Sequence, residues 1–212
     1  MRLLVFGAGG SIGQRVVREA ADRGHAVTAA FRRAPKSPPA RARVVVADVR
    51  RPEEALDGKA YHAVVSAVGA GAPGSEPDYE IYLDAARSLV GALRANAGPR
   101  LIVVGGAGSL DAGSGVKVID TPQFPSRFRE EALAQARALE HYRTVEDVPW
   151  TYVSPAAMIE PGERTGRFRT GRDELLTDEH AHSRISTEDY AAAILDELER
   201  PQAIGRRMTV AY

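Results

Sequence analysis

Three glycines near the amino end of the chain, Gly7, Gly10 and Gly13, have the spacing and context of a phosphate-binding turn. They follow a short apolar run over residues 3–6 and precede a helical pattern. This order is typical of a buried parallel strand that leads into a helix. We expect Gly7 to let the chain turn sharply off the strand. Gly10 removes a Cβ where a pyrophosphate must approach the backbone, and Gly13 lets the helix lie close to the sheet.

The first helical turn after these glycines supplies the groups that would bind the phosphates. The backbone N–H groups of Ser11 and Ile12 have no partner within the helix, and the helix dipole adds positive potential there. The spacing is Gly-x-x-Gly-x-x-Gly rather than the Gly-x-Gly-x-x-Gly of many dehydrogenases. Its position between a predicted strand and a predicted helix favours a dinucleotide site over an unrelated glycine-rich loop.

The end of the second predicted strand indicates which dinucleotide is bound. Enzymes that prefer NAD usually place a carboxylate there, which accepts hydrogen bonds from the ribose 2′-hydroxyl. This chain has Arg32, Arg33 and Lys36 instead. Arginine presents a planar fork that suits a 2′-phosphate, so these residues predict NADPH in preference to NADH. A solvated basic loop is the alternative interpretation.

Two more strand ends are candidate contacts of the same cofactor. Asp48 and Val49 close the third strand, where they would lie beside the adenine, although Asp48 could equally be a turn residue that ends the strand. Ala67, Val68 and Gly69 close the fourth strand, where small residues would permit close approach of the nicotinamide ribose.

Strand and helix patterns alternate along the chain up to residue 153. The strands are rich in Val, Ile and Leu without polar alternation, as expected when helices cover both faces of a sheet. Repeated strand–helix–strand units imply a doubly wound parallel sheet, so the predicted fold class is α/β and Rossmann-like. The predicted strands are residues 3–6, 27–31, 44–49, 61–68, 101–104 and 150–153, and the predicted helices are residues 11–23, 51–57, 78–97 and 126–144, with a loop over residues 70–77.

The last third of the chain departs from this pattern. Residues 168–173 suggest a turn or hairpin, residues 186–189 form a capping box that opens a helix through Leu198, and residues 208–210 could form a final strand. The segment from about residue 155 to residue 212 is too short for a second domain. We therefore expect a single domain with a compact C-terminal elaboration that roofs the cofactor site.

Composition limits the partners and the compartment. The 212 residues include 28 basic and 28 acidic side chains, so no net charge attracts nucleic acid or an anionic membrane. The sequence contains no cysteine and no apolar run near the roughly 20 residues that span a bilayer, and we do not expect residues 1–6 to act as a signal peptide. We expect a cytoplasmic monomer or homodimer. His180 and His182 have no third ligand nearby in the sequence, so no metal site is predicted.

Several longer segments give the chain a family resemblance. Besides the glycine turn, they cover residues 103–110, 120–125, 150–159 and 183–191. On these segments the chain resembles the atypical short-chain dehydrogenase/reductase superfamily. Within it, the chain is similar to NAD(P)H-binding and NADH-flavin-reductase-like proteins related to biliverdin reductase B. The resemblance covers essentially the whole chain and implies a Rossmann fold, NADPH as the cofactor, and flat redox-active substrates such as flavins or quinones.

Two departures from these relatives narrow the chemistry. Classical members use a Tyr-x-x-x-Lys pair, in which the lysine lowers the pKa of the tyrosine for proton transfer. No tyrosine in this chain has a lysine four positions later, so alcohol–ketone chemistry is not expected. The biliverdin-reductase-like relatives carry a histidine after the sixth strand where this chain has Met158, which disfavours acid chemistry specific to bilins.

The segments after strands five and six supply the remaining candidate site residues. Gly105, Gly106 and Pro155 are expected beside the cofactor. Ser109 could donate a hydrogen bond to a substrate oxygen, although such a serine more often closes a turn, and no other catalytic residue is predicted. The predicted lining of the substrate pocket is Ala107, Phe124, Ala156 and Met158.

Three functions are consistent with these patterns. Hydride transfer to a flavin or quinone requires little beyond stacking of the acceptor and exclusion of water, and protons can come from solvent. The leading hypothesis is therefore an NADPH-dependent reductase that acts on a small planar acceptor. The missing tyrosine–lysine pair is also consistent with a non-catalytic redox sensor that signals dinucleotide occupancy to a partner protein. A sugar-nucleotide epimerase or dehydratase shares the glycine pattern but normally needs that pair and a larger C-terminal domain.

Overall fold

The computed structural model describes residues 1–71, 74–95 and 98–212. Its strands are β1 (Arg2–Phe6), β2 (Ala26–Phe31), β3 (Ala42–Val46), β4 (Ala63–Ser66), β5 (Arg100–Val104), β6 (Trp150–Ser154), β7 (Met158–Glu160), β8 (Arg169–Gly171), β9 (Arg184–Ser186) and β10 (Arg206–Ala211). Its helices are α1 (Ser11–Asp22), α2 (Glu53–Leu56), α3 (Ile81–Ala95), α4 (Arg129–Arg143) and α5 (Thr187–Glu199), with 3-10 turns at Val118–Asp120 and Ser126–Phe128. In the described ranges, no helix has the length and apolar character needed to cross a membrane.

Eight of these strands form one sheet in the order β3-β2-β1-β4-β5-β6-β10-β8. Neighbouring strands pair in parallel, except that β10 and β8 are antiparallel. Strands β2 and β3 lie on one side of β1, and β4, β5 and β6 follow on its other side. The direction in which successive strands are added therefore reverses between β1 and β4. Doubly wound sheets bind ligands at such a reversal, outside the carboxyl ends of the strands. The predicted α/β, Rossmann-like fold class is confirmed.

Helices cover both faces of the sheet, which explains why its central strands are mostly apolar. On one face α3 and α4 pack into a core that includes Leu89 and Leu139. On the other face α1 and α5 pack into a core that includes Val16 and Ile194. Every residue of β4 and of β6 is buried between these layers. A strand without an exposed face has no position where alternating polar residues would be favoured.

Two of the predicted strands end earlier in the structure. The third strand ends at Val46 rather than at residue 49, because the Asp48 carboxylate accepts a hydrogen bond from the Arg50 amide at 2.9 Å and turns the chain. The fourth strand ends at Ser66, and residues 67–69 follow it as a non-strand segment at the edge of the sheet. The predicted cofactor contacts on these segments thus lie just beyond the strands.

The helix boundaries also differ from prediction at their amino ends. The helix predicted from residue 126 begins with a 3-10 turn after Pro125 and becomes α-helical at Arg129. The helix predicted over residues 78–97 begins at Ile81, after turns closed by backbone hydrogen bonds. Residues 96–97 of this predicted helix, and residues 72–73 of the predicted loop before it, lie outside the described residues.

The C-terminal elaboration contains strands that the sequence did not indicate. The predicted hairpin over residues 168–173 includes β8, which pairs with β10 rather than with an adjacent strand. In addition, β7 and β9 form a separate two-stranded parallel sheet. The start of α5 is confirmed, because the Ser186 hydroxyl accepts a hydrogen bond from the Asp189 amide at 2.9 Å. The Asp189 side chain does not complete the capping box but accepts a hydrogen bond from the Gly166 amide.

Candidate functional site

The glycine turn after β1 requires backbone geometry that other residues cannot supply. Gly7 has a φ of +73°, and a Cβ at this position would lie 2.2 Å from the carbonyl oxygen of Ala67 at the end of β4. A Cβ on Gly13 would lie 2.0 Å from the carbonyl oxygen of Gly7. Both distances are far below van der Waals contact, so these two glycines set how closely α1 approaches the ends of β1 and β4.

Gly10 occupies the N-cap of α1 in more open surroundings. A Cβ there would meet only two backbone oxygens, the nearer at 3.3 Å. No side chain caps the helix, and its first turn contains no acidic residue. Among the described residues, the amides of Ser11, Ile12 and Gly13 donate no hydrogen bond. These unpaired donors at the positive end of the helix dipole fit the diphosphate of a dinucleotide.

The segment after β2 carries unneutralised positive charge. Arg32, Arg33 and Lys36 are exposed, and none forms an ion pair with a residue that the structure describes. Farther along the segment, Arg41 pairs with Asp22 of α1 at 2.8 Å. The segment is therefore anchored on α1, whereas its first cations remain available to a ligand anion.

A cleft of about 520 Å³ separates this basic segment from the outer face of α1. Its lining includes Gly9, Val17 and Phe31. A Cβ on Gly9 would lie 3.3 Å from the Phe31 ring, so the end of β2 packs directly on the glycine turn. The cations that follow Phe31 consequently leave the sheet next to the glycine turn at the start of α1.

The predicted contacts at the ends of β3 and β4 lie at the same edge of the sheet. Asp48 is half-buried and Val49 is buried. Ala67 is buried, Val68 is half-buried and Gly69 is exposed. Since the carbonyl of Ala67 also meets Gly7, the structure brings the β4 end and the glycine turn into direct contact.

The glycines after β5 are packed against the protein itself. A Cβ on Gly105 would lie 1.9 Å from the ring of Tyr152, and a Cβ on Gly106 would lie 1.8 Å from Oε1 of Gln135 in α4. A side chain at Gly105 would therefore displace the Tyr152 ring of β6, and one at Gly106 would displace the side-chain amide of Gln135. Both glycines were predicted as cofactor contacts, and any such contact would involve their backbone.

The four predicted substrate-pocket residues and Pro155, a predicted cofactor contact, have different environments. Ala107 and Phe124 are half-buried in the long loop between β5 and α4. Pro155 is buried at the end of β6, and Ala156 is buried in the core beside α1 and α5. Met158, on β7, is 59% exposed. All five follow the carboxyl ends of β5 and β6, and Met158 presents the largest exposed apolar surface among them.

Ser109, the candidate catalytic hydroxyl, is bound by a buried cation. Arg207 of β10 is 4% exposed, and its Nη1 donates to the Ser109 hydroxyl oxygen at 2.8 Å. Its Nε donates to the Asp173 carboxylate at 2.9 Å. A buried guanidinium requires such partners, because an unpaired charge in the interior is costly. Ser109 therefore ties the loop after β5 to the C-terminal strands.

Sequence reasoning missed a polar cluster at this edge. Tyr82 of α3 is 7% exposed, and its hydroxyl donates to the carboxylate of Glu131 in α4. Burial, and then the hydrogen bond to Glu131 and its charge, raise the pKa of Tyr82, so the phenol stays protonated. Glu131 and Gln135 are one helical turn apart in the sequence, which only weakly indicates that they act together. Nothing in the sequence connects them with Tyr82, which lies 49 positions before Glu131.

An ion pair between α5 and α1 supports the first turn of α1. The Arg15 side chain donates to the Glu188 carboxylate at 2.6 Å and to the Ser11 carbonyl at 2.8 Å. Burial disfavours the ionised form of Glu188, but hydrogen bonds from the Gly162 amide, Arg15 and Thr187 outweigh it and lower the pKa of Glu188 from 4.5 to about 2. Glu188 is thus held as a carboxylate at neutral pH.

We expect Glu188→Gln to lower the free energy of unfolding at neutral pH by about 1–2 kcal/mol. Because the pKa of Glu188 is depressed in the folded state, the wild type should lose this contribution as the pH falls from about 4.5 to about 2, and the variant should lose less. Urea denaturation at a series of pH values measures both effects. Glu146→Gln removes an exposed carboxylate without an ion pair in the described ranges and is the control. Equal behaviour of the two variants would contradict the prediction.

The described residues contain no group of three or more His, Asp and Glu side chains that could hold a metal ion. His180 and His182 are both exposed. Their backbone amides donate to the Asp178 carboxylate at 2.9 and 2.8 Å, which closes a turn. This turn accounts for the local arrangement of the two histidines.

Known proteins resemble this chain over nearly its whole length. A sequence model of a family described as NAD(P)H-binding matches residues 7–201, which begins at the glycine turn. YwnB of Bacillus subtilis (strain 168), an uncharacterised protein, is 39% identical over 213 residues, which cover 99% of this chain and 98% of YwnB.

Solved structures of bacterial proteins share the fold. A Burkholderia pseudomallei protein, whose name proposes that it is exported, is 42% identical with a TM-score of 0.89, and the match covers 100% of both chains. SP1627 of Streptococcus pneumoniae TIGR4, whose name proposes an NADH-flavin reductase, is 35% identical with a TM-score of 0.88. That match covers 100% of this chain and 99% of SP1627.

Proposed function

Since the chain belongs to the NAD(P)H-binding family of atypical short-chain dehydrogenase/reductases, we propose that it is an NADPH-dependent reductase of planar acceptors such as flavins or quinones. The observation that carries the proposal is the uncapped start of α1, together with the unpaired cations that follow β2 where its end packs on the glycine turn. The name of SP1627 supports a flavin as one such acceptor.

The residues of this surface have separable roles in the proposal. The amides of Ser11, Ile12 and Gly13 bind the diphosphate, and Arg32 and Arg33 bind the 2′-phosphate. When bound, NADPH supplies a hydride and becomes NADP⁺, and the acceptor completes its two-electron reduction with a proton from solvent.

In this proposal the acceptor stacks on the face of the nicotinamide that points away from the sheet. The exposed apolar side chain of Met158 and the half-buried ring of Phe124 cover it and limit the access of water. Ala67 and Gly69 leave room for the nicotinamide ribose at the end of β4.

The tyrosines buried in the two cores are not suited to protonating a carbonyl substrate. Burial raises the pKa of Tyr142 and of Tyr190, and it raises the pKa of Tyr152 to about 12. A tyrosine that donates a proton in catalysis needs a pKa lowered towards the working pH. Flavins and quinones do not need such a donor because solvent can protonate them.

Steady-state consumption of NADPH with a panel of flavins and quinones tests the proposal. Turnover with one or more of these acceptors is the expected result, and binding of NADPH should be tighter than binding of NADH. A folded protein that binds NADPH but oxidises it with no acceptor would contradict the reductase assignment.

A non-catalytic redox sensor is the second candidate function. The lack of a Tyr-x-x-x-Lys pair motivates it, because a sensor needs no proton donor. A sensor should bind NADPH and NADP⁺ with clearly different affinities and without turnover. Calorimetric titration of both forms distinguishes the two candidates, since equal affinities would contradict the sensor.

Arg32→Glu should weaken binding of NADPH by about 30-fold, because it removes a charge-assisted hydrogen bond to the 2′-phosphate and adds a repulsive charge. NADH has no 2′-phosphate, so its affinity should change by less than about 3-fold. Arg43→Glu reverses an exposed charge on the neighbouring β3, where no ion pair is formed with the described residues, and is the matched control. Unchanged NADPH affinity in Arg32→Glu would show that the 2′-phosphate assignment is wrong.

A further inference from the structure

The polar cluster of Tyr82, Glu131 and Gln135 lies beneath the ends of β4 and β5. A Cβ on Gly69, which follows β4, would lie 4.0 Å from the Tyr82 hydroxyl oxygen. A Cβ on Gly106, which follows β5, would lie 1.8 Å from Oε1 of Gln135. The strand order reverses between β1 and β4, and the crevice lies at the carboxyl ends of these two strands. The cluster lies on the β4 side of this crevice, and the basic segment lies on its β2 side.

The Glu131 carboxylate in this cluster retains unused acceptor capacity. It is half-buried, accepts a hydrogen bond from Tyr82, and forms no ion pair with any residue in the described ranges. Arg129, on the same helix, pairs instead with Asp120 at 3.4 Å. A carboxylate offers about four acceptor sites on its two oxygens, so most of its capacity remains free.

Tyr82 holds this carboxylate in one orientation. Burial and the neighbouring carboxylate raise the pKa of Tyr82, so its hydroxyl remains a donor throughout the physiological range. The tyrosine is fixed in the core between α3 and α4. The free acceptor sites of Glu131 are consequently preorganised before any ligand binds.

The charge of this cluster determines what it can recognise. An unneutralised carboxylate repels phosphate groups and accepts hydrogen bonds from neutral hydroxyls. In a dinucleotide whose diphosphate lies on α1 and whose 2′-phosphate lies at Arg32, the part that reaches the ends of β4 and β5 is the nicotinamide nucleoside. Its ribose carries two adjacent hydroxyls.

We infer that Glu131 accepts hydrogen bonds from the hydroxyls of the nicotinamide ribose and that Tyr82 is a positioning residue for this contact. The inference rests on the proposed function, because it requires a dinucleotide in the crevice. In this inference the Glu131 carboxylate, held by the buried Tyr82 phenol, orients the nicotinamide. The chain has no tyrosine–lysine pair that could do so.

Two probes separate this contact from the rest of the cofactor site. NADPH carries the nicotinamide ribose, whereas adenosine 2′,5′-bisphosphate carries only the adenosine end and its phosphates. Calorimetry should show that Glu131→Ala weakens binding of NADPH by about 10-fold and changes binding of adenosine 2′,5′-bisphosphate by less than about 2-fold. Glu131→Gln, which keeps the shape of the side chain, and Tyr82→Phe should each give the same pattern with losses of about 3-fold.

Glu130→Ala is the matched control, since it removes an exposed carboxylate from the adjacent position of α4. It should bind both probes like the wild type. Equal weakening of both probes by Glu131→Gln would show a merely structural link between α3 and α4, and unchanged NADPH affinity in both Glu131 variants would show no contact. Either result overturns the inference. If the wild type binds neither probe, the proposed function fails as well.

Discussion

Gly10→Asp should weaken binding of both NADPH and NADH by about 100-fold, or about 2.7 kcal/mol. A carboxylate at the N-cap accepts hydrogen bonds from the same amides that would bind the diphosphate, and its charge repels that group. Gly10 has a φ of −75° and a ψ of 167°, the extended conformation of N-cap residues, and a Cβ there needs a small shift because it would lie 3.3 Å from the Gly7 carbonyl oxygen. The free energy of unfolding should therefore change by only a few tenths of a kcal/mol.

Calorimetric titration with both coenzymes, together with thermal denaturation, measures these two effects. Gly10→Ala adds the Cβ without a charge, so it measures the steric part of the loss and should weaken binding less than Gly10→Asp. Undiminished affinity in the aspartate variant would show that the start of α1 does not bind the diphosphate. Because both coenzymes share this group, equal losses for the two distinguish this effect from that of Arg32→Glu.

Glu197→Ala should lower the free energy of unfolding by about 3–5 kcal/mol. Glu197 of α5 pairs with Arg100 of β5, and their side chains are 2% and 10% exposed. The Glu197 carboxylate also accepts hydrogen bonds from the amides of Gln202 and Ala203, both at 2.9 Å. Its removal leaves a buried guanidinium and two backbone donors without their acceptor, and each carries a desolvation cost.

Chemical denaturation measures this loss, and two further variants control it. Glu199→Ala removes a carboxylate of the same helix that is 30% exposed, so it should cost about 1 kcal/mol or less. Replacing both partners, as Arg100→Met with Glu197→Leu, removes the unpaired charge and should recover much of the loss. A loss in Glu197→Ala no larger than that in Glu199→Ala would contradict a buried ion pair.

The glycine turn was predictable because its chemistry is local. Gly7, Gly10 and Gly13 lie within one strand–turn–helix unit, and the conformations that such a unit can adopt follow from backbone sterics over a few residues. The strand and helix order was predictable for a similar reason, since apolar patterning reports which faces are covered. These features led to the correct fold class and family.

Element ends were less predictable, because they depend on single hydrogen bonds. Asp48 ends β3 through its bond to the Arg50 amide, although the apolar pattern continues to Val49. Likewise β8 pairs with β10, although β9 and α5 lie between them in the sequence. Neither event has a periodic signal in the sequence.

The amino-acid order alone indicated the doubly wound fold, through the alternation of strand and helix patterns, and it also indicated the turn at the start of α1 and the cations after β2, which depend on neighbours within a few residues. Folding in three dimensions was needed to place Tyr82 against Glu131, and Arg207 against Ser109, across 49 and 98 positions of sequence. Such contacts depend on how helices and strands pack on the sheet, and packing geometry is a property of the assembled layers rather than of any one segment.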